Sequence, residues 1–447
     1  MKKLFTTLLS VLHFIAMPAC WMGMIFVIVA CDESSVTEEI VPFPAESSSS
    51  LDNKHASLLL SKKDNMEGDY ENTGLPVCYI STIDGLPITS KTEYVEASLR
   101  IEQNGELLFE DTLLNIRGRG HSSWTDSPKV PYKLKLSHKA PLLGMSANKH
   151  FVLLSNYFDK SLMRAAIGFK IGELLESSWT PESRFVELVF NGKYQGNYQL
   201  TESVREGANR IRVDESGFLT EYIYPDRIAE EKVLIQTIDS GYYYKFMYPD
   251  EKNITARRVQ YADNLMNRLE RSLNRPSKPH EFADIIDVKS WAKWFYQQNL
   301  LMLEECNMYM VKYDDTENSR LAMGPMWDFD WCLGSGYYNG TERPNPNHHI
   351  VSTHYFRKLA ADSLFMAEVA RLHREYGLTV REGVLRYYDE LMEHLRLSQR
   401  LNFACWPILT ERVSIGAYPL GSWEREVACD RQFFLAHYEY LDQILIH

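Results

Sequence analysis

Cysteine is scarce in this chain. There are 7 in 447 residues, and five of them (Cys78, Cys306, Cys332, Cys405 and Cys429) lie beyond residue 31. None forms a C-x-x-C pair, which argues against a zinc site or a disulfide scaffold, although one chance disulfide is compatible with an oxidising compartment. An excess of positive charge is also missing. Lys and Arg total 48 against 60 Asp and Glu, a net charge of −12, so the global basic footprint of a nucleic-acid binder is absent and no nucleic-acid partner is expected. A local basic pocket for a phosphorylated ligand is still compatible with that balance. No internal repeat is found, which excludes a solenoid. No glycine-rich stretch continues into G-K-[ST], so a Walker loop is excluded, and the protein-kinase glycine loop is missing too.

What is present reads as ordinary globular material, with 45% hydrophobic and 24% charged residues. The length suits two domains or one large composite fold. The N-terminus differs from the rest. Lys2 and Lys3 precede an apolar run from Leu4 to Ala30 that ends in "IVAC", Ile28 to Cys31. This is an export pattern. Its end resembles a bacterial lipobox with Cys31 as the lipidated residue, although the run is also long enough for a plain membrane anchor. Residues 1–31 are thus expected to be a lipoprotein signal or anchor. The following stretch, "DESSVTEEIVPFPAESSSSLDN", is rich in Ser, Glu and Pro. With little apolar surface to bury, residues 32–75 are expected to be a disordered tether. Residues 76–447 then form the folded domain, held at the cell envelope, facing periplasm or exterior through a lipid anchor.

Period-2 patterns and turn residues make residues 77–136 β-rich, and 149–155 reads as a buried strand. An amphipathic helix is expected over 160–176. Residues 184–202 read as a hairpin turning at Asn191-Gly192, since Asn-Gly between apolar runs is a strong hairpin signal. Helices are expected over 259–273 and 288–305, and "NMYMVKYDD" with "LAMGPMWDFDW" as a strand pair. From about 358 onward the periodicity is helical. The fold class is α+β, β-rich first and helical at the C-terminal end.

Three stretches carry chemistry. "NIRGRGHSSW", residues 115–124, interleaves glycines with Arg117 and Arg119. Glycine lets successive N–H groups converge on an anion, and arginine adds planar donors suited to phosphate. A turn with solvated arginines fits equally well. Lys133 and Lys135 alternate on "YKLKL" and share a face, so a strand lysine stands near that turn, with Glu202 at the end of "QLTE" as a possible orienting partner. In "SNYFDKSLMR", Asp159 or Ser161 suits the cap of the helix that carries Arg164. "GPMWDFDWCLG", residues 324–334, sets Asp328 and Asp330 one residue apart between tryptophans. Two carboxylates held together in apolar surroundings need a cation, a proton or donors, and a hard divalent ion is one answer.

Taken in order, "IRGRGHSSW…VPYKLKL", "FVLLSNYFDKSLMRAAIGFKIG", "SRFVELVFNGKYQGNYQLTE" and "GPMWDFDWCLG" resemble the CotH-type kinase family over roughly residues 75–447. The resemblance implies an atypical protein-kinase-like fold that uses ATP and Mg²⁺ (or Mn²⁺) to phosphorylate a protein substrate on Ser. It implies metal binding by Asp328 and Asp330, with Trp327 and Phe329 fixing the turn. Phosphoryl transfer also needs phosphate clamps, and for nucleotide binding the chain offers Arg117, Arg119 and Lys133, with Glu202 to orient the lysine. One departure stands out. The family carries a catalytic Asp upstream of W-D-x-D, before an Asn; this chain reads "NLLMLEECNMYMV" and offers Glu305 instead. The extra methylene displaces the carboxylate by about 1.5 Å. Misplacement of that order costs roughly 10²-fold in rate. The alternative to an active kinase is therefore a catalytically weak pseudokinase that binds protein or glycan at the surface, which also suits the scarcity of ATP outside the cytoplasm.

Overall fold

The structure is a computed structural model that describes residues 69–303, 307–335, 352–413 and 419–446. The expectations for Cys31, for residues 32–68 and for Glu305 therefore lie outside the described residues. Residues 69–75, taken above as the end of the tether, belong to the fold. Asp69–Asn72 forms a 3₁₀ turn, the Tyr70 ring stacks on Tyr194 at 5.0 Å, and Leu75 is buried. Two large rings and a leucine supply the apolar contact that the rest of the stretch lacks.

The N-terminal half is a closed seven-stranded barrel: β1 (Val77–Thr82), β2 (Val95–Gln103), β3 (Glu106–Gly118), β4 (Tyr132–Ala140), β5 (Asn148–Leu154), β6 (Ser183–Phe190) and β7 (Lys193–Glu202). Their order around the barrel is β1-β2-β3-β4-β5-β7-β6, with β6 closing on β1 in parallel. Alternation decides which side chains fill it. Ile116, Leu134, Leu136, Phe151, Leu153 and Leu200 point inward and are buried, while Arg117, Lys133 and Lys135 take the intervening outward positions. The β6–β7 hairpin turns at Asn191 (φ +49) and Gly192 (φ +74), the left-handed pair that a two-residue turn demands.

A second, antiparallel sheet has the order β12-β11-β8-β10-β9, built from β8 (Phe218–Ile223), β9 (Leu234–Gln236), β10 (Tyr243–Tyr248), β11 (Tyr309–Lys312) and β12 (Ala322–Met323). The pattern reading found β11 but passed over β8 to β10, although "YYKFMY" is rich in aromatic strand formers. It also extended β12 through Trp331. The strand stops at Met323, because Gly324 sits against the Tyr309 backbone and Pro325 offers no N–H to a ladder.

The helices are α1 (Ser122–Thr125), α2 (Arg164–Leu174), α3 (Ala256–Asn274), α4 (Val288–Leu301), α5 (Phe356–Leu359), α6 (Ser363–His394), α7 (Ser398–Cys405) and α8 (Trp423–Ile446). Helix α2 is shorter than expected and is not amphipathic: 8 of its 11 residues are buried. Its first turn is capped by Asp159, whose Oδ2 accepts from Arg164 N at 2.8 Å while Oδ1 accepts from Ser161 N and Oγ. Helix α4 ends at Leu301, where Met302 takes a left-handed conformation (φ +45). It is almost wholly buried, packing on α6 and close to α2 and α8. Among the described residues no helix is long and apolar enough to cross a membrane.

Helix α7 is fastened to the barrel through Lys129. Its buried ammonium donates to Asn197 O and to Asn402 Oδ1, and it lies 4.7 Å from the centre of the Tyr198 ring. Burial pushes that lysine down to about 7. Gly196 (φ +88) lets Asn402 and Trp406 come this close, since a Cβ there would stand 2.6 Å from Asn402 Oδ1.

Gly168 in α2 serves the same purpose for the 327–331 turn. A Cβ at this position would meet the Phe329 ring at 2.4 Å. Alanine gains about 1 kcal/mol of helix propensity over glycine. Overpacking a tight core site costs about 1–3 kcal/mol. Gly168→Ala is therefore expected to lower stability on balance and displace Phe329; a denaturant melt showing a midpoint equal to or above wild type would contradict this.

A carboxylate-lined cleft as candidate active site

A cleft of about 210 Å³ lies where four segments meet: the loop after β3 (Arg119–Ser123), the end of β5 with α2, the second sheet, and the turn Trp327–Trp331. The turn is the centre of the site. Asp328 has φ +67, a left-handed conformation that Asp tolerates better than most residues. Its neighbours alternate. Trp327 and Phe329 are buried, while Asp328 and Asp330 keep part of their surface open to the cleft. Phe329 meets Phe169 edge-on at 5.4 Å, Trp327 lies 5.7 Å from the same ring, and Trp331 stacks on Phe158. Trp327 and Phe329 thus fix the turn by packing, as the resemblance implied.

The turn is also held from beneath. Arg164 is fully buried and donates through Nη1 to the Asp330 carbonyl at 3.1 Å. Its Nε and Nη2 form a bidentate pair with Asp430 in α8, at 2.9 and 3.0 Å. One guanidinium therefore ties the first turn of α2, the carboxylate turn and the last helix together.

Electrostatics set the two carboxylates apart from ordinary ones. Burial pushes Asp330 up to about 7, and the neighbouring Asp328 and Asp159 add to the rise, against Arg164 and Arg119. Asp328 is raised as well, by burial first; Arg119 and Arg227 oppose this and Glu221 adds to it. Arg119 serves from above, with its guanidinium 5.6 Å from the Trp327 ring centre.

The second sheet contributes groups that the sequence reading missed. Glu221 on β8 stands in register with Lys245 on β10 and with Tyr309 on β11. Its carboxylate pairs with the Lys245 ammonium at 3.2 Å and accepts from Tyr309 Oη at 3.0 Å. Lys245 also pairs with Glu231 at 3.0 Å. Burial works against the lysine's charge, but the two glutamates outweigh it and raise its pKa. Asn307 also lines the cleft, and its buried Nδ2 has no partner among the described residues.

Of the expected site residues, Arg119, Asp328 and Asp330 are brought together in the cleft. Arg117 and Lys133 stand next to each other on the barrel's outer face and do not line it. The expected pairing of Glu202 with a strand lysine is not formed. Glu202 is in register with Phe151 and Lys133 with Val152, a one-residue offset that sends them to opposite faces of the sheet. Glu202 is buried instead, 3.7 Å from Arg210 Nε, and accepts from Glu182 N. The strand lysine oriented by an acid is Lys245, with Glu221. Only the register of β8 with β10 reveals that pair.

The family described as CotH kinase protein matches residues 116–427, and the chain belongs to it. No curated protein matches the chain. Among solved structures, a crystal structure of the golgi casein kinase aligns over 88% of this chain and 78% of that chain, with 7% identity and a TM-score of 0.26, too weak a likeness to carry an argument.

The donor set suits a hard divalent ion bound together with phosphate. Among the described residues no cluster of three or more His, Cys, Asp or Glu forms a cage. Mg²⁺ is usually held by one or two carboxylates plus substrate phosphates and water. Two buried carboxylates with raised pKa values, Asp328 adding to the rise of Asp330, provide that part.

The raised pKa of Asp330 has a testable sign. Between the ordinary value of 3.8 and about 7 the folded state binds the proton more tightly than the unfolded chain. This group's contribution to stability is therefore full at low pH and declines as pH rises from 3.8 through 7. In chelator, Asp330→Asn is expected to be more stable than wild type at pH 8, with the gap shrinking towards pH 4. A gap independent of pH, measured by denaturant melts across that range, would show that Asp330 ionises normally.

Proposed function

We propose that this chain is an ATP-dependent protein serine kinase acting at the cell envelope. The observation that carries the reading is the Asp328–Asp330 pair, raised in pKa by burial, facing the Glu221–Lys245 pair across one cleft. Phosphoryl transfer needs positioning and charge stabilisation more than covalent chemistry. Asp328 and Asp330 would hold the Mg²⁺, which when bound neutralises charge on the nucleotide phosphates. Lys245, oriented by Glu221, presents a fixed ammonium to those phosphates, and Arg119 adds a guanidinium from the loop after β3. Arg164 keeps the turn in place without touching the reacting atoms.

Binding and transfer are separate outcomes. Asp328→Asn keeps the shape of the side chain and removes one anionic ligand. It is expected to weaken Mg²⁺-dependent ATP binding by at least about tenfold. Folding is expected to survive, or to improve, as repulsion within the pair is relieved. If Asp328 were purely structural, the substitution would instead cost about 1–3 kcal/mol of stability. A Mg²⁺–ATP titration of wild type and variant, run beside a denaturant melt, distinguishes the two. No binding by wild type at any metal concentration defeats the kinase reading. Binding without labelled phosphate reaching any serine favours the pseudokinase, the outcome that Glu305 in place of the family's Asp would produce.

The envelope location rests on the apolar run ending at Cys31. Labelled fatty acid is expected to enter the wild type and not Cys31→Ser. Equal labelling of both, or a mature chain that still starts at Met1, would remove the lipid anchor from the proposal and leave the apolar run as a plain membrane anchor.

A further inference from the structure

Next to the cleft, the outer face of the barrel collects positive charge on a chain whose net charge is −12. Arg117 on β3 is in register with Lys133 on β4, and Lys135 is in register with Asn115 and His150. Directly opposed residues hold their Cβ atoms about 4.5–5.5 Å apart on the same face. Arg205, just beyond β7, is close enough to lower the pKa of both Lys133 and His150. Arg117 and Lys135 both lie over the Tyr94 ring, at 5.2 and 5.8 Å from its centre. Among the described residues, none of Arg117, Lys133, Lys135 and Arg205 makes an ion pair within 4 Å, and Arg117 Nε is buried without a partner. The nearby acids sit at the margins. Glu96 is in register with Asn115, Glu206 follows Arg205, and Glu221 is on the cleft side of Lys133.

Among the described residues no carboxylate forms an ion pair with these cations, and crowding opposes the charge of Lys133. Lys133 is pushed down to about 8, by burial first and then by Arg117, Arg205 and Arg119. His150 is pushed down to about 3, by burial and then by Arg205, Lys133, Lys135 and Arg210, so it stays neutral. A bound anion relieves that crowding.

We propose that this face, formed by Arg117, Lys133, Lys135 and Arg205, is where an acidic segment of the acceptor protein docks. The inference rests on the phosphotransfer reading of the adjoining cleft. Shape favours a peptide over the nucleotide's own phosphates. From Arg119, in the cleft, the cations continue through Arg117 and Lys133 to Lys135, a track of about 13 Å at roughly 3.3 Å per strand residue. Phosphates held at Asp328 would meet only its Arg119 end. An extended peptide places alternate side chains about 7 Å apart, the same period as Lys133 and Lys135. Its carboxylates can pair along the track while its acceptor hydroxyl enters the cleft.

The test uses the full chain and a fluorescent Ala/Glu peptide without Ser, Thr or Tyr, beside its Ala/Lys counterpart, in an anisotropy titration. Wild type is expected to prefer the acidic peptide, with affinity that falls as salt rises. Lys135→Glu combined with Arg205→Glu is expected to lose at least about tenfold in affinity. Lys135→Glu alone, at an exposed position, is expected to lose affinity in the same direction, and a thermal melt reports whether each variant is folded. Equal binding of the two peptides by wild type, or unaltered binding by the folded variants, overturns the proposal. So does loss of ATP binding by the variants in place of peptide binding, which would give the face to nucleotide phosphates. If the acidic peptide binds, the variants lose it, and no phosphoryl transfer is found, the docking surface stands and the phosphotransfer reading falls.

Discussion

The structure depends on one buried guanidinium. Arg164 has almost no contact with solvent, and its donors go to Asp430 in the last helix and to the Asp330 carbonyl in the turn, with Asp159 at 3.7 Å. A buried charge is tolerable only when it is paired and hydrogen-bonded. Here Asp330 and Asp430 lie 166 and 266 residues from Arg164 along the chain. Breaking such a pair from one side leaves a charge uncompensated, a loss of roughly 3–5 kcal/mol. The arrangement therefore gives the carboxylate turn a rigid floor. Asp328 in its left-handed conformation, and Asp330 with its raised pKa, can persist because their backbone is held from below.

The cleft is assembled from parts whose own cores are separate. The barrel fills its interior with aliphatic and aromatic side chains and needs nothing from the second sheet to do so. The larger core, running through α2, α4, α6 and the second sheet, includes Trp327 and Phe329. The carboxylates thus belong to the helical part, and Arg119 to the barrel. Glu221, Lys245 and Tyr309 come from the second sheet. Glu221, Lys245 and Tyr309 stand on strands, and Asp328 and Asp330 on a turn packed against α2, which limits the entropy lost in holding a bound phosphate. Strand register sets Lys245 opposite Glu221, and the hydrogen bond from Tyr309 to Glu221 and the pairing of Lys245 with Glu231 hold the two in place.

Much of this could be read from the chain. Asn191-Gly192 dictated its hairpin, the alternation in "YKLKL" put Lys133 and Lys135 on one face, and the paired Asp328 and Asp330 marked a site in need of a cation or donors, although their stretch was expected as a strand. Asp159 capped the helix expected of it. Where the reading failed, the causes are particular. Helix α2 was expected to be amphipathic, yet Arg164, a charged residue of its first turn, points into the protein, where it pairs with Asp430. Strands β8 to β10 were passed over because short aromatic runs have no helix or hairpin signal to frame them.

The sequence by itself determined which residues are chemically able to act, and the order of the elements that carry them: period, turn residues and apolar runs are local properties, readable within a few residues. The tertiary structure alone decided which of those groups meet. Glu202 and Lys133 were neighbours by expectation, and a one-residue offset in register sent them to opposite faces. Glu221 and Lys245 were unremarked in the chain, and register joined them. Pairing across a sheet, the desolvation that lifts Asp330, and the closure of Arg164 on Asp430 depend on contacts between distant segments, and no local pattern encodes the distance between two side chains on different strands.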